Sequence, residues 1–336
     1  MSTSLDLPYG YHETCVLEDL EMDLNTMDKV CSKNPGHKDF KSLEAFSIDN
    51  LPESHRDEDV LKLIKAVGDL TVRLAVDEVD PLRPELRPDP DIKYPSYSDG
   101  VRKKRRAGTG EMFIYKHENG QEIDASGRGY KSLLGRTADT TAVLCPCKKC
   151  GNSDAASNEW WEIFIDTASH LVQDDHEASA TSCRLFYNNK DSEVVTLSNF
   201  SVDFVNVERD VCVLRCVTCE DLGKRLYKAQ LEWRKVWNSV KDKFQSKAGD
   251  RIAFIVSHPH GCPKQVSVGQ WLENTKFCEV DKEYDFTRLS YDTCTCPGSS
   301  GASVYCVGFG GGHVHSGTKG TGSNVNFSNV SYYRKQ

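Results

Sequence analysis

Acyl transfer by a serine needs three groups brought together. One is a hydroxyl on a tight turn whose backbone amides hold the developing oxyanion; the others are an imidazole that takes the proton and an acid that orients the imidazole. The sequence offers one candidate for each. Residues 296–303 read Cys-Pro-Gly-Ser-Ser-Gly-Ala-Ser, and glycines on both sides of Ser299 and Ser300 allow the sharp backbone that would present the Ser300 hydroxyl. In that geometry the amides of Gly298 and Ser300 form the oxyanion hole. An apolar stretch, Ile163-Phe164-Ile165, runs through Asp166-Thr167-Ala168-Ser169 into His170, so a histidine stands just past the end of a buried strand. Asp210 immediately precedes the apolar run Val211-Cys212-Val213-Leu214. Each segment alone has an ordinary reading, because Gly-Ser turns occur in linkers, strand-end histidines are often only hydrogen-bonded, and an Asp before a strand is commonly a turn residue.

Metal binding is the second chemistry on offer. Cys145, Cys147 and Cys150 bring three thiols within six residues, and Cys212, Cys216 and Cys219 follow further on. Tetrahedral zinc takes four thiolates or imidazoles, usually as two close-spaced pairs, so the first cluster needs a ligand from the second or from Cys183. Structural zinc, disulfides and free thiols stay open as alternatives, with Cys212 and Cys216 also reading as small core side chains. His258 and His260 flank Pro259, and His313 and His315 lie two apart, so the members of each pair tend to share a face. No carboxylate cluster accompanies them, and a loop or pocket role is the simpler expectation.

Order and spacing of the three acyl-transfer candidates carry a family resemblance. Thr-Ala-Ser-His at 167–170, Asp-Val-Cys-Val-Leu at 210–214 and Pro-Gly-Ser-Ser-Gly-Ala-Ser at 297–303 resemble the histidine, aspartate and serine motifs of the trypsin-like (chymotrypsin-fold) serine peptidases. Their separations, 40 and 90 residues, fit a triad spread over two barrels. Gly108-Thr109-Gly110 resembles the opening strand of that fold, residues 257–269 a second-barrel segment, and residues 312–317 the substrate-binding strand. The resemblance spans roughly residues 108–328. It implies that His170 is the general base, Asp210 its orienting acid and Ser300 the nucleophile. Amides of Gly298 and Ser300 would stabilise the oxyanion, and peptide hydrolysis through an acyl-enzyme would require no cofactor.

The motifs depart from the digestive pattern in instructive places. The histidine motif ends His-Leu instead of His-Cys, so the usual neighbouring disulfide is missing. Ser299 stands where digestive members carry an aspartate that pairs with a freshly cut N-terminus. By resemblance the chain therefore sides with the bacterial, viral and organellar branch, folded for activity without such cleavage. In the glutamyl endopeptidase type, a threonine five residues before the nucleophile and a histidine on the substrate-binding strand recognise an acidic side chain. Thr295 and His315 fall at matching places, with Ser316 and Gly317 next along the strand. Cys294 is not an aspartate, so a preference for Lys or Arg has no support.

The elements that must position these groups are mostly short strands. Between residues 107 and 336, β-like segments recur with Gly, Asn or Asp between them, which predicts an all-β core of two six-stranded antiparallel β-barrels of chymotrypsin type. One helix is inserted at 220–244, where Leu222, Leu226, Ala229, Trp233, Trp237 and Val240 recur at helical spacing. Residues 1–106 read as a mixed or partly disordered N-terminal extension. Within it a small helix is expected near 57–68, followed by an alternating stretch to residue 75, and a Pro-rich linker over 81–106 closes on the basic run Arg102-Lys103-Lys104-Arg105-Arg106. The expected division is thus 1–106 and 107–336.

Charge and composition bound the partners. With 42 Lys and Arg against 50 Asp and Glu the net charge is −8, which removes the overall basic footprint of a nucleic-acid binder. No apolar run approaches the roughly eighteen residues of a membrane span, and the acidic start lacks the pattern of a signal peptide. A cytoplasmic setting with reduced thiols is the expectation. A peptide or protein substrate is the expected partner, with a further protein contact on the N-terminal extension or on the Trp233 and Trp237 face of the helix. Two rival classes stay open: a catalytically silent protease-like binding protein, and a zinc-stapled protein-interaction module.

Overall fold

Period-two alternation, punctuated by turns, builds two antiparallel sheets in the computed structural model, which describes residues 11–17, 24–27, 31–83, 105–127, 142–245, 251–309, 312–320 and 323–335. The first sheet is ordered Ser201–Asn206, Val211–Thr218, Glu159–Thr167, Arg106–Glu118, Thr71–Val76, Thr181–Leu185 and Val195–Leu197, with Cys15–Val16 and Gln121–Asp124 added on Arg106–Glu118. Glu159–Thr167 lies between two partners and is buried almost throughout, which explains its apolar residues Trp160, Trp161, Ile163, Phe164 and Ile165, interrupted by Glu162. Its register sets Thr167 opposite Cys212. That one pairing brings the residues after one strand, including His170, to the same edge as Asp210, which precedes the other.

The second sheet runs Tyr11–His12, His315–Thr318, Asn326–Ser328, Tyr284–Tyr291, Gln265–Glu279, Ile252–Ser257 and Val304–Cys306, with Lys41–Ser42 and Ser331–Arg334 attached at its side. The all-β, two-sheet core of chymotrypsin type is as the sequence predicts. Each sheet carries nine strands among the described residues instead of six, and part of the excess comes from the N-terminal region. Tyr11–His12 and Lys41–Ser42 join the second sheet, while Cys15–Val16 and Thr71–Val76 join the first. A boundary at 106/107 falls at the start of the strand Arg106–Glu118. The Pro-rich and basic linker lies outside the described residues over 84–104.

Two helices seal the core. Glu58–Leu70 is capped by Asp57, whose carboxylate accepts from the Asp59 amide at 2.8 Å, and it buries Val60, Leu63, Ile64 and Val67. The inserted helix, Asp221–Phe244, buries Leu226, Trp233 and Val240 in the same apolar cluster, which also takes residues from both sheets. Trp233 is fully buried and its indole donates to the Tyr305 hydroxyl at 3.0 Å. Tyr305 stacks on Phe254 in the second sheet, and its hydroxyl, like that of Ser303, donates to the Glu111 carboxylate in the first. The helix and this carboxylate therefore tie the sheets together. Among the described residues no helix is long and apolar enough to cross a membrane.

Trp233→Ala should destabilise the chain by about 3–5 kcal/mol, the range for truncating a buried aromatic that leaves a cavity. Leu231→Ala, on the exposed side of the same helix, should change stability by less than about 0.5 kcal/mol. Urea unfolding of both variants tests the assignment of the helix faces.

Candidate active site

Asp210 is the electrostatic centre of the cleft. It sits at φ +55°, a left-handed backbone position that Asp adopts more readily than most residues. One carboxylate oxygen accepts from the His170 amide at 2.9 Å and from the Ser169 hydroxyl at 3.1 Å. The His170 ring nitrogen Nδ1 lies 2.9 Å from the other oxygen, which also accepts from the Ser316 hydroxyl. Burial alone would raise this carboxyl, but the His170 and His12 imidazoles and the donated hydrogen bonds outweigh it and hold it well below 3.8. With its Nδ1 proton directed at Asp210, His170 presents Nε2 as an acceptor; that atom is buried and makes no hydrogen bond to the described residues.

The serine turn is fixed by its own backbone geometry. Gly298 has φ +99°, and a Cβ there would stand 2.6 Å from the His258 carbonyl oxygen, so only glycine fits. The amides of Ser299, Gly301 and Ala302 donate to the carbonyls of Cys296, His315 and Ser299. Gly298 and Ser300 supply the turn's other amide donors, the two that the family resemblance assigns to an oxyanion. Ser299 spends its hydroxyl on Ser257 at 3.1 Å and on the Cys296 amide at 3.3 Å, inside a fully buried neutral setting that has no use for a carboxylate.

A segment of the chain itself lies in the cleft. Tyr11–His12 pairs antiparallel with His315–Thr318, Tyr11 opposite Thr318 and His12 opposite Gly317. A Cβ on Gly317 would come within 2.1 Å of the Tyr11 carbonyl oxygen. The His12 ring lies against the His170 ring with centroids 4.6 Å apart, and its Nδ1 is 3.4 Å from Asp210. Ser300 donates its hydroxyl to the Glu13 carbonyl oxygen at 2.9 Å. The Glu13 carboxylate then enters a pocket where Lys33 Nζ is 2.7 Å away and His315 Nε2 is 3.4 Å away. Lys33 is itself fixed by Thr295 and Asn326, each accepting at 2.9 Å. Tyr291 anchors the other side of this ring, its hydroxyl lying 2.7 Å from His315 Nδ1 and donating to the Phe327 carbonyl at 3.2 Å. Burial would raise the Glu13 carboxyl, yet His315 and Lys33 hold it below 4.5.

The structure thus brings His170 and Asp210 into contact, sets Ser300 against the adjacent residue of the same intruding strand, and collects Thr295, His315, Ser316 and Gly317 along one pocket and strand. Sequence reasoning missed Lys33, Glu13 and His12, which lie far upstream in a stretch without apolar periodicity. The expected thiols Cys145, Cys147 and Cys150 converge with Cys219, their ligand atoms all within 4.8 Å of one another. Cys183, Cys212 and Cys216 are instead core side chains. Of the histidine pairs, His258 bonds the Cys262 carbonyl at 2.8 Å and His313 bonds Thr287 at 3.0 Å, so the four do not gather at one point.

A family model described as trypsin-like peptidase domain matches residues 157–313, the segment that contains all three acyl-transfer candidates. The resemblance carried by the motifs is therefore supported over this segment, which is similar to the trypsin-like peptidase domain. The chain is also similar in structure to the HtrA-type protease AlgW with a tripeptide, at 10% identity and a TM-score of 0.37, over 82% of this chain and 60% of that one. A second likeness is to the Rv3671c protease in its inactive form, at 9% identity and a TM-score of 0.35, over 82% of this chain and 90% of that one. No curated protein matches.

The Asp210 carboxyl gives a pH prediction. Its folded value lies well below 3.8, so the stability this carboxylate contributes is fully present above 3.8 and is lost as pH falls through the folded value. Asp210→Asn should therefore be less stable than the parent at neutral pH, with the difference shrinking under strong acid. Unfolding midpoints measured across that range check the sign; a constant gap would contradict it.

Proposed function

We propose that the protein is a serine endopeptidase that cuts after acidic residues, glutamate above all. The observation that carries this reading is the placement of Glu13. Its carbonyl sits on the Ser300 hydroxyl, its carboxylate lies between Lys33 and His315, and the two residues before it pair with His315–Thr318 as an extended peptide would. A substrate lying the same way would put its acidic side chain in that pocket and its scissile carbonyl at Ser300. Arginine or lysine there would meet Lys33 at close range.

In this reading His170 Nε2 takes the Ser300 proton as the oxygen attacks the carbonyl carbon, and the Gly298 and Ser300 amides receive the charge that forms on the carbonyl oxygen. Asp210 keeps the imidazole in the required tautomer and stabilises it once protonated. The proton then passes to the departing amine, and water repeats the sequence to release the acyl group. Glu13 and its neighbours must leave before an external peptide can enter, so the segment acts as a built-in competitor.

A fluorophosphonate probe should label the chain, and Ser300→Ala should abolish labelling; labelling that survives the substitution ends the proposal. Lys33→Met should lower kcat/KM for peptides cut after glutamate by about 10- to 100-fold, the size of a lost charge-assisted hydrogen bond, with the probe reaction retained. Glu13→Ala should raise hydrolysis of external peptides by weakening the competitor. The silent-binder alternative draws on the same occupied cleft, and it gains the field if neither the full chain nor Glu13→Ala turns over any acidic peptide.

A further inference from the structure

We propose that Cys31, His37, His260 and Cys296 form a structural zinc site that fastens the N-terminal segment to the turn carrying Ser300. All four side chains are buried, and their ligand atoms lie within 4.8 Å of one another. The two sulfurs are 3.6 Å apart and the two Nε2 atoms 3.1 Å apart. A tetrahedral ion with ordinary zinc–sulfur and zinc–nitrogen bonds would separate its ligands by about 3.8 Å and about 3.3 Å respectively. The fit is close on both edges of the tetrahedron.

Donors from Asn34 reach both sulfurs. The Asn34 amide points at Cys31 Sγ at 3.4 Å, and the Asn34 side-chain nitrogen donates to Cys296 Sγ at 3.1 Å. Donors aimed at both sulfurs are what metal-bound thiolates accept from an outer shell. Both histidines are held at positive φ, +43° for His37 and +55° for His260, in backbone positions that non-glycine residues seldom take. The His260 amide bonds the Pro297 carbonyl at 2.6 Å, so the ligand is bound directly to the serine turn.

Position gives the ion its use. Cys296 is four residues before Ser300, and Cys31 is two before Lys33. An ion joining them sets the acid-binding lysine against the catalytic turn. That consequence rests on the substrate reading above, whereas the ion itself does not. The Cys145, Cys147, Cys150 and Cys219 tetrad meets the same distance test, with Cys219 Sγ at 3.8 Å and 3.4 Å from Cys147 and Cys150, and is assigned a second zinc.

Elemental analysis of the purified full chain should find two zinc ions. Cys31→Ser and His37→Ala should each remove one, while Cys147→Ser removes the other and leaves the first; zinc content unchanged by Cys31→Ser and His37→Ala overturns the site. If those variants fail to fold, X-ray absorption at the zinc edge of the unaltered chain decides. Outer-shell scattering from imidazole supports the mixed site, and a pure sulfur shell, or no zinc at all, refutes it. Loss of zinc in His37→Ala with acidic preference intact would keep the metal site and disprove its hold on Lys33, separating the two readings.

Discussion

A buried carboxylate that must stay charged organises the cleft. Removing a carboxylate from water is costly unless donors and cations replace the lost hydration, and Asp210 meets that demand by drawing groups from both sheets. Ser169 and His170 come from the end of Glu159–Thr167 in the first sheet, whereas Ser316 belongs to His315–Thr318 in the second. The relative placement of the two sheets is thereby tied to one ionised group. Ser316 also lies on the strand that receives Tyr11–His12, so the same contact that orients the imidazole orders the edge on which that segment pairs.

Glu111 plays a matching part on the other side of the interface. Its carboxylate takes the hydroxyls of Ser303 and Tyr305, three and five residues beyond Ser300, and Tyr305 in turn holds the indole of the inserted helix. The serine turn is thus pinned behind by Glu111 and in front by the Gly298 geometry. Little freedom is left to the hydroxyl except rotation about its own bond. Such prior fixing of reacting groups, at the expense of folding free energy, is how a site lowers the reorganisation needed during reaction.

Much of this was legible in the residues. The strand density, the inserted helix with its Trp233 stripe and the helix after Asp57 follow from periodicity, because burial of one face imposes it. His170, Asp210 and Ser300 could be singled out because each stands at the end of an apolar run or in a Gly-rich turn, where backbone geometry is restrictive. Residues 11–17 and 31–43 carry no such signal. Their strands are two residues long, and their contacts are made by single polar side chains: Lys33 to Thr295 across 262 positions, His37 to His260 across 223. Pairings of that kind are set by tertiary placement alone, and local pattern is blind to them. The thiols divided in the same way: three close in sequence announced a cluster, while the choice of Cys219 over Cys212 or Cys216 depended on which of them face the core.

The pocket's charge balance bears on what Glu13 is doing there. An exposed Lys–Glu pair would be unremarkable, because solvent weakens it. Lys33 and Glu13 are mostly shielded, with side chains 17% and 10% exposed, and His315 beneath them is fully buried. Remove Glu13 and the site keeps a cation with two neutral acceptors, Thr295 and Asn326, and an imidazole whose burial resists protonation. A cavity so furnished lacks one anion, and its geometry places the missing anion one side chain away from a carbonyl on Ser300. The segment supplies that anion from within, and the backbone of Tyr11–His12 adds its antiparallel pairing with His315–Thr318. Intramolecular occupation is favoured by proximity, so a segment of modest complementarity suffices to hold this position.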